Sequence, residues 1–447
     1  MLKYTKTLVT IFTLISTTFA SAQVVTYYAK KGATTELCLP ENYVLENGNA
    51  ATEAINENVA LYYDVINKGK DMIRWDLSYK TTCYSITSLK STEIWLKNAL
   101  EVKNDFTVTA GVDTGYVEEW KNLWDGNLVY DRQFRLAMDT ANALVVGGDL
   151  TLNTSKYFTS KFCHRNTLYY NFSIGGALNF NYTGAKTDTG YHVFQLADTA
   201  SQAKNNLTFT LGGLNSTTKG VYVTSAKSTD VVFNFKNNEN NEFKGGSFTG
   251  VFATGSSISA NAVFQMDGSG TQSIKIYKAA NGEQCGLGDF ADKKDMTISS
   301  VSVSSGTLIF DTEVAVEAVE MNGGKLQYTS NEKAGSFTLN KGSIIYGGEV
   351  KTGFLSIVAE EVNVYFDIDS FATEELSIFA YDDSDISEAT IFNAFDAKTG
   401  NVIDGTFKIS NNYGEGVITF TAVPEPATIA GIFGILSIAF VAYRRRK

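Results

Sequence analysis

Two groups of carboxylates are the residues of this chain best suited to chemistry. Asp367 and Asp369 are two positions apart, so on a strand both side chains would face the same way. Such a pair could bind Ca²⁺ or act as a general acid and a base. Asp382, Asp383 and Asp385 form a second group, which we interpret as an acidic loop. Neither group has the ordered Asp and Gly positions of an EF-hand or an RTX repeat. Solvated acidic segments are therefore the favoured interpretation, and Ca²⁺ is the one cofactor left open.

Four cysteines, Cys38, Cys83, Cys163 and Cys285, are the next candidates. An even number permits two disulfides in an oxidising compartment, with three connectivities that the sequence leaves open. Their wide spacings match no zinc motif. Cys163 and His164 would point to opposite faces of a strand, which disfavours a nucleophile–base pair. The chain has no phosphate-binding loop, nucleophile elbow or HExxH motif, so no residue is assigned a catalytic role.

The composition limits the classes of function. The chain has 447 residues, of which 44% are hydrophobic and 19% charged, so it can bury a sizeable core. The formal net charge is -11, which argues against nucleic-acid binding because that requires a basic surface. The abundance of glycine, tyrosine and phenylalanine, with only 3 prolines, favours a β-rich protein. Asn-x-Ser/Thr sequences at Asn153, Asn171, Asn181, Asn206 and Asn215 fit the same Asn- and Thr-rich composition.

Residues 1–22 have the features of a secretory signal peptide. Lys3 and Lys6 precede an apolar stretch at 8–20, and Ala20 and Ala22 form an A-x-A cleavage site. The exported body would then begin at residue 23.

Residues 424–447 combine three elements in a fixed order. Pro424, Glu425 and Pro426 are followed by an apolar run at 427–443. As a helix this run would reach about 25 Å, enough for a thin bilayer core, which predicts a C-terminal transmembrane helix. A cluster of cations comes last and would anchor the end in the cytoplasm by the positive-inside rule. These cations are Arg444, Arg445, Arg446 and Lys447.

This tail resembles the PEP-CTERM sorting signal of Gram-negative bacteria, which an exosortase recognises and is thought to cleave near the tripeptide. The resemblance covers residues 424–447 alone. It implies that the Sec machinery and an exosortase are partners. It also implies transient residence in the inner membrane and delivery to the cell surface or extracellular matrix, often in biofilm-forming species. It implies nothing about the activity of the body.

Without its two terminal segments the protein is more acidic. Six of the 37 basic residues lie in those segments, whereas Glu425 is the only acidic residue there. Residues 23–423 therefore carry 31 basic and 47 acidic residues, a formal charge of -16. Such a body should be soluble and should repel anionic polymers unless divalent cations bridge the two.

Five glycines recur every 18 residues, at Gly270, Gly288, Gly306, Gly324 and Gly342. Aligning the last three blocks also aligns pairs of apolar residues at i and i+2, which face one side of a strand. The aligned sets are Leu308, Leu326 and Ile344; Phe310, Tyr328 and Tyr346; Val319, Phe337 and Leu355; and Met321, Leu339 and Ile357. Together with mid-block pairs such as Val314 and Val316, this pattern predicts three short strands per 18-residue coil, with glycine in a turn.

Stacked coils of this kind would form a parallel β-helix, a solenoid in which each strand pairs in parallel with its copies above and below. If the whole body formed such coils, about 22 of them would stack to about 100 Å. An antiparallel β-sandwich with evenly spaced turns is the alternative. Both interpretations give an all-β fold class.

The repeat divides the body into three regions. Residues 141–358 are the predicted solenoid, with the period clearest at 288–358. Residues 23–140 hold all four tryptophans and a segment at 117–124 interpreted as helical, and we expect them to form a mixed capping region. Residues 359–423 are the expected C-terminal β cap.

These features favour an exported structural or adhesive protein that is not an enzyme. A polysaccharide lyase or glycosidase on a β-helix is the alternative, and it would need carboxylates with Lys, Arg or Tyr converging in a groove. A Ca²⁺-dependent glycan-binding module is a third interpretation. Extracellular polysaccharide is the expected ligand class, and no nucleic-acid partner is expected.

Overall fold

The computed structural model describes residues 23–30, 36, 38–64, 73–89, 92–110, 119–121, 128–130, 133–138, 144–154, 158–164, 169–182, 192–195, 206–217, 221–224, 230–249, 261–276, 297–310, 316–328, 334–367, 375–412 and 415–423. Both predicted terminal signals lie outside these residues, including Ala20, Ala22, the tripeptide at 424–426 and the apolar run at 427–443. No helix within the described ranges is long and apolar enough to cross a membrane. The transmembrane helix therefore stays a prediction.

The described chain is nearly all β, apart from one 3-10 turn at Pro40–Asn42. The N-terminal strands are β1 (Val25–Ala29), β2 (Tyr43–Val44), β3 (Val59–Tyr63), β4 (Ile73–Leu77), β5 (Thr81–Cys83), β6 (Ser85–Ser88), β7 (Thr92–Leu96), β8 (Leu100–Val102), β9 (Phe106–Ala110), β10 (Glu119–Lys121) and β11 (Leu128–Tyr130). The central strands are β12 (Gln133–Met138), β13 (Leu144–Val146), β14 (Leu150–Thr154), β15 (Phe158–His164), β16 (Tyr169–Tyr182), β17 (His192–Gln195), β18 (Asn206–Ser216), β19 (Val221–Thr224), β20 (Asp230–Phe235), β21 (Asn240–Thr249) and β22 (Asn261–Met266). The C-terminal strands are β23 (Thr271–Ile276), β24 (Thr297–Val303), β25 (Thr307–Phe310), β26 (Val316–Gln327), β27 (Ala334–Ile345), β28 (Val350–Ile357), β29 (Glu361–Phe366), β30 (Leu376–Ile386), β31 (Ile391–Asp396), β32 (Gly405–Asn412) and β33 (Glu415–Ala422).

Parallel pairing arranges these strands in three stacks. Stack A contains β1, β3, β6, β9, β14, β16, β18, β21, β23, β25, β26, β27, β29 and β31. Stack B contains β5, β8, β13, β16, β18, β20, β22, β24, β26, β27, β28 and β30. Stack C contains β4, β7, β12, β15, β17, β19, β21 and the end of β23. Several strands bend at a corner and contribute to two stacks.

The parallel pairing excludes the antiparallel sandwich as the main architecture. Antiparallel pairs among the described residues occur between β1 and β2, between β10 and β11, and in a C-terminal sheet in which β33 lies between β30 and β32. The β10–β11 hairpin corrects one prediction. Residues 119–121, expected to be helical, are extended because they pair with 128–130.

The stack is shorter than a regular 18-residue repeat would give. Fourteen described strands in stack A make thirteen steps of about 4.8 Å, or about 60 Å in place of about 100 Å. Coils differ in length because connections of different size are inserted between the strands. For example, Phe106 pairs with Leu150 across 44 residues.

The 18-residue period is confirmed where the aligned apolar sets are clearest. Leu308 pairs with Leu326 and Leu326 with Ile344, as predicted. Below this region the period is wrong, because Thr271 pairs directly with Thr307, so one coil there spans 36 residues. Gly288 lies outside the described residues.

The 18-residue coils contain two strands among the described residues, not three. The repeat pattern predicts Val316 on one strand and Val319 and Met321 on the next. In the structure all three lie buried on β26 in stack B. In stack C, the last pairing within the described ranges joins Gly246 of β21 to Ile276 at the end of β23. Among the described strands, stack C thus has no member after β23.

Glycines occupy the corner between stacks B and A because the coils approach closely there. A Cβ on Gly175 would lie 2.4 Å from the carbonyl oxygen of Gly147, and one on Gly323 would lie 2.2 Å from that of Ser304. Gly324 adds a positive φ of 63°, which disfavours other residues. The glycine repeat therefore reflects contact between coils as well as turn geometry.

A ladder of phenylalanines fills the coil interior. Phe172, Phe209, Phe233 and Phe264 occupy equivalent positions of stack B, with neighbouring ring centroids 4.8, 5.7 and 5.4 Å apart. All four rings are buried and nearly parallel, so each coil covers the aromatic face of the one below. This use of aromatic residues explains their abundance in the composition.

Candidate functional site

The most regular polar feature is a column of side chains on the outer face of stack A, which we call the amide column. It consists of Thr151, Asn179 and Asn215. Their neighbours along each strand, such as Leu150 and Leu178, point inward and are buried. Strand alternation therefore places the column outside, where its side chains are half-buried.

Hydrogen bonds join the amide column from coil to coil. Nδ2 of Asn179 donates to Oγ1 of Thr151 at 3.3 Å, and Nδ2 of Asn215 donates to Oδ1 of Asn179 at 3.0 Å and of Asn241 at 2.9 Å. Oδ1 of Asn215 in turn accepts the backbone N–H of Glu242 at 2.8 Å. These donors and acceptors are used within the fold, so the column stabilises the stack and leaves few groups for a ligand.

A second column lies two residues further along the strands. Nδ2 of Asn153 donates to Oγ1 of Thr109 at 3.2 Å, and Nδ2 of Asn181 donates to Oδ1 of Asn153 at 3.1 Å. Near the other end Asn340 bonds to Asn322 at 2.9 Å, across 18 residues. Asn153, Asn181 and Asn215 belong to Asn-x-Ser/Thr sequences, but this local pattern does not predict the ladders.

Two aspartates at the corner of stack A bind backbone amides of the next coil. Oδ1 of Asp105 accepts the N–H of Asp149 at 2.9 Å, and Oδ1 of Asp149 accepts the N–H of Ala177 at 2.7 Å. Oδ2 of Asp149 also accepts a bond from Asn179 at 3.1 Å. These carboxylates therefore close gaps in the backbone ladder, which is a structural role.

The first pair of predicted metal-binding carboxylates is described only in part. Asp367 lies just after β29 and its Oδ1 is 2.9 Å from Nζ of Lys398, while Asp369 lies outside the described residues. The strand ends at Phe366, so Asp367 lies just beyond it, and the same-face pairing of Asp367 with Asp369 stays a prediction. A carboxylate paired with lysine is neutralised locally and is a poorer cation ligand.

The second acidic group lies on a strand, not on a loop. Asp382, Asp383 and Asp385 belong to β30, where Phe354 pairs with Asp383 and Ser356 with Asp385. Asp383 and Asp385 are exposed on the outer face. In the part of the chain that the structure describes, no group of three His, Cys, Asp or Glu residues could hold a metal ion.

Two of the four cysteines are free thiols near the N-terminal end. Cys38 donates to Oε1 of Glu36 at 3.1 Å, and that oxygen also accepts the N–H of Ser78 at 3.0 Å. Burial and the neighbouring Glu36 raise the pKa of Cys38 to about 11, and burial raises the pKa of Cys83 to about 12. Both groups are therefore protonated at neutral pH and are weak nucleophiles.

Neither Cys38 nor Cys83 is in a disulfide in the structure. Cys163 lies on β15, but its side chain and the whole of Cys285 are outside the described residues. The disulfides predicted for the four cysteines thus remain a prediction as far as Cys163 and Cys285 are concerned.

Comparison with known proteins adds no family to this description. No family model matches the chain, and no curated protein or solved structure is significantly similar to it. The interpretation of function therefore depends on the geometry of the molecule and on the sequence of its ends.

Proposed function

We propose that the protein is an exported parallel β-helix that is sorted to the cell surface or extracellular matrix and acts there as a structural or adhesive component. The supporting observation is the cross-coil bonding of the outer face of stack A. Asn179 and Asn215 bond to side chains of the adjacent coils, and Asp105 and Asp149 bond to backbone amides of the next coil. A surface whose polar groups hold neighbouring coils together suits a stiff spacer better than a reaction site.

The position of the sorting tail is consistent with this proposal. The last strand, β33, ends at Ala422, and the N–H of Val423 donates to the carbonyl oxygen of Asp404 at 2.8 Å. Pro424 follows directly, so the tripeptide begins two residues after the end of β33. Pro424 and Pro426 restrict the backbone to extended conformations and would present a stiff segment to a processing enzyme.

Replacing Pro424, Glu425 and Pro426 together with alanine tests the sorting step in cells that produce the protein. We expect the variant to remain full-length in the inner membrane, while the native protein is released or displayed. Glu415→Ala, an exposed change in the body, is the matched control and should be sorted normally. Unchanged release of the triple variant would contradict exosortase sorting.

Incubation with the extracellular polysaccharide of the producing cells tests the role of the body. A structural or adhesive protein should co-sediment with this polymer and leave its length unchanged. Because the body carries a formal charge of -16, binding to an acidic polymer should require divalent cations. Release of reducing ends would contradict the proposal and favour a polysaccharide-cleaving enzyme.

A further inference from the structure

The strand β32 forms an edge of the C-terminal sheet. It pairs with β33 over its whole length, from Gly405 with Ala422 to Asn412 with Glu415. Just before β32, the N–H of Ile403 donates to the carbonyl oxygen of Ala394 on β31 at 2.9 Å. Among the described residues, the ladder with β33 is the only one that involves residues 405–412. An eight-residue strand of this kind has one edge with backbone donors and acceptors directed away from its partner.

The phase of the ladder identifies which backbone groups face outward. The N–H of Val423 donates to the carbonyl oxygen of Asp404, and these two residues continue the β32–β33 register by one position. Hydrogen-bonded pairs alternate along an antiparallel ladder, so the even-numbered residues of β32 face β33. The N–H and C=O groups of Gly405, Phe407, Ile409 and Asn411 therefore point to the outer edge.

The core-facing side of this edge is incompletely covered. Phe407 points to that side, because its ring lies 4.7 Å from the ring of Phe420 and 5.3 Å from that of Phe392. Ile409 lies two positions further on, beside the fully buried Ile418, yet 44% of it is exposed. A strand added at the outer edge would cover Ile409 and continue the apolar layer.

The edge has little protection against pairing. β32 contains no proline, and its one charged residue is Lys408. The protein's own tail is poorly placed to occupy the edge. The chain leaves β33 beside Gly405, on the other side of β32, and Pro424 and Pro426 lack backbone donors.

We propose that the outer edge of β32 pairs with the same edge of a second copy of the chain, giving a two-fold symmetric antiparallel dimer. The register centred on Ile409 places Ile409 opposite its own copy and Lys408 opposite Ser410. This register buries both isoleucines and places no like charges opposite each other. A register centred on Lys408 would instead place two lysines opposite each other, and their repulsion disfavours that register.

Two features make this dimer weak and reversible. A contact between two eight-residue edges is at the small end of protein interfaces, below about 1,200 Å². The formal charge of -16 on each body also opposes association. Salt screens that repulsion, so the dissociation constant of the dimer should be lower at 500 mM than at 50 mM NaCl.

Sedimentation of the chain from residue 23 to residue 447 in a mild detergent tests the dimer. The native chain should shift from monomer to dimer as its concentration rises. Ile409→Pro removes the central outward N–H without touching the β33 ladder, and should shift the equilibrium at least tenfold toward monomer. Ile409→Thr keeps that N–H and is the matched control. A native chain that is monomeric at all concentrations, or a dimer that Ile409→Pro leaves unchanged, would overturn the proposal.

Cross-linking provides a second test that does not depend on the stability of the proline variant. In the proposed register the two Cα atoms at 409 lie about 5.5 Å apart, a distance suited to a disulfide. Ile409→Cys should form covalent dimers when diamide is added, whereas Thr406→Cys, further from the two-fold axis, should form far fewer. Equal cross-linking at both positions would contradict this register.

Discussion

At the scale of single residues, the side chain of Gln272 makes two hydrogen bonds that the backbone of a neighbouring strand would otherwise make. It lies on β23 with no exposed surface, at a position where the coils above carry Leu308 and Leu326. Its Oε1 accepts the N–H of Leu214, and its Nε2 donates to the carbonyl oxygen of Leu214, both at 2.9 Å. The side-chain amide thus supplies the two bonds that a neighbouring backbone would otherwise make.

Substituting Gln272 with alanine should destabilise the protein markedly. The change leaves two buried backbone groups of Leu214 without partners, which costs about 2–4 kcal/mol in the free energy of unfolding. Gln265→Ala is the control, because Gln265 lies on the outer face of β22 and should change the free energy by less than about 0.5 kcal/mol. Urea unfolding of both variants measures the difference, and similar losses would contradict the role assigned to Gln272.

Asp396 makes a pH-dependent contribution to the stability of the C-terminal end of the fold. Hydrogen bonds from Thr399 and from the backbone N–H of Lys398 hold its pKa below the ordinary value. The Asp396 carboxyl therefore binds a proton more readily in the unfolded chain than in the folded one. Its stabilising contribution is present above a pH of about 4 and is lost as the pH falls through the folded pKa. Asp396→Asn should be less stable than the native protein at pH 7. In denaturant titrations the two should converge as the pH falls below the folded pKa of Asp396, and a gap that is independent of pH would refute this.

At the scale of elements, the corner between stacks B and A depends on glycine for two separable reasons. One is a positive φ, and the other is the close approach of the coil below. Gly48 has a φ of 83° but nothing within 4 Å of the Cβ position, whereas Gly323 has close contact without a positive φ. Gly324 combines a φ of 63° with a Cβ position 2.6 Å from the carbonyl oxygen of Gly306.

Alanine at these three glycines should therefore separate the two effects. Gly48→Ala should cost about 1 kcal/mol, the price of a left-handed conformation alone. Gly323→Ala and Gly324→Ala should each cost about 3 kcal/mol or more, because a backbone oxygen must move and the coils must separate. Thermal and urea unfolding measure the order. A loss at Gly48 as large as the loss at Gly324 would show that contact between coils is unimportant.

At the scale of the whole molecule, the stacking of fourteen strands in stack A determines the reach of the protein. Each coil contacts chiefly the coils above and below it, so inserted connections lengthen the chain without lengthening the stack. The proposed dimer edge lies at one end of this stack, so pairing there would extend the assembly beyond a single molecule.

Small-angle X-ray scattering tests the length of the stack. Residues 23–423 at low concentration should behave as a short rod with a long axis of about 60 Å, from thirteen steps of about 4.8 Å. A rod of about 100 Å would indicate the uniform 18-residue coils predicted from the repeat alone. The dimer proposed through β32 would appear as a longer particle at high concentration and should disappear with Ile409→Pro.

Local patterns predicted a good part of the fold. Alternation of apolar residues placed Leu308, Val319 and Phe337 inside the coil, and the repeat aligned them correctly because consecutive coils there have equal length. The same reasoning failed between Gly270 and Gly306, since a period continued by glycine spacing alone cannot detect a coil of 36 residues. It also assigned Asp382 and its neighbours to a loop, because an acidic run gives no sign of the strand it pairs with.

The sequence by itself determined the β-rich class, the inward and outward positions along each strand and the features of the two terminal signals. These properties depend on residues within a few positions of each other. Only the tertiary structure decided that Asn179 bonds to Asn215, that Gln272 completes the ladder of Leu214 and that β32 forms an edge. The first two contacts join residues 36 and 58 positions apart, and the lengths of the intervening connections, which follow no period, set which residues meet.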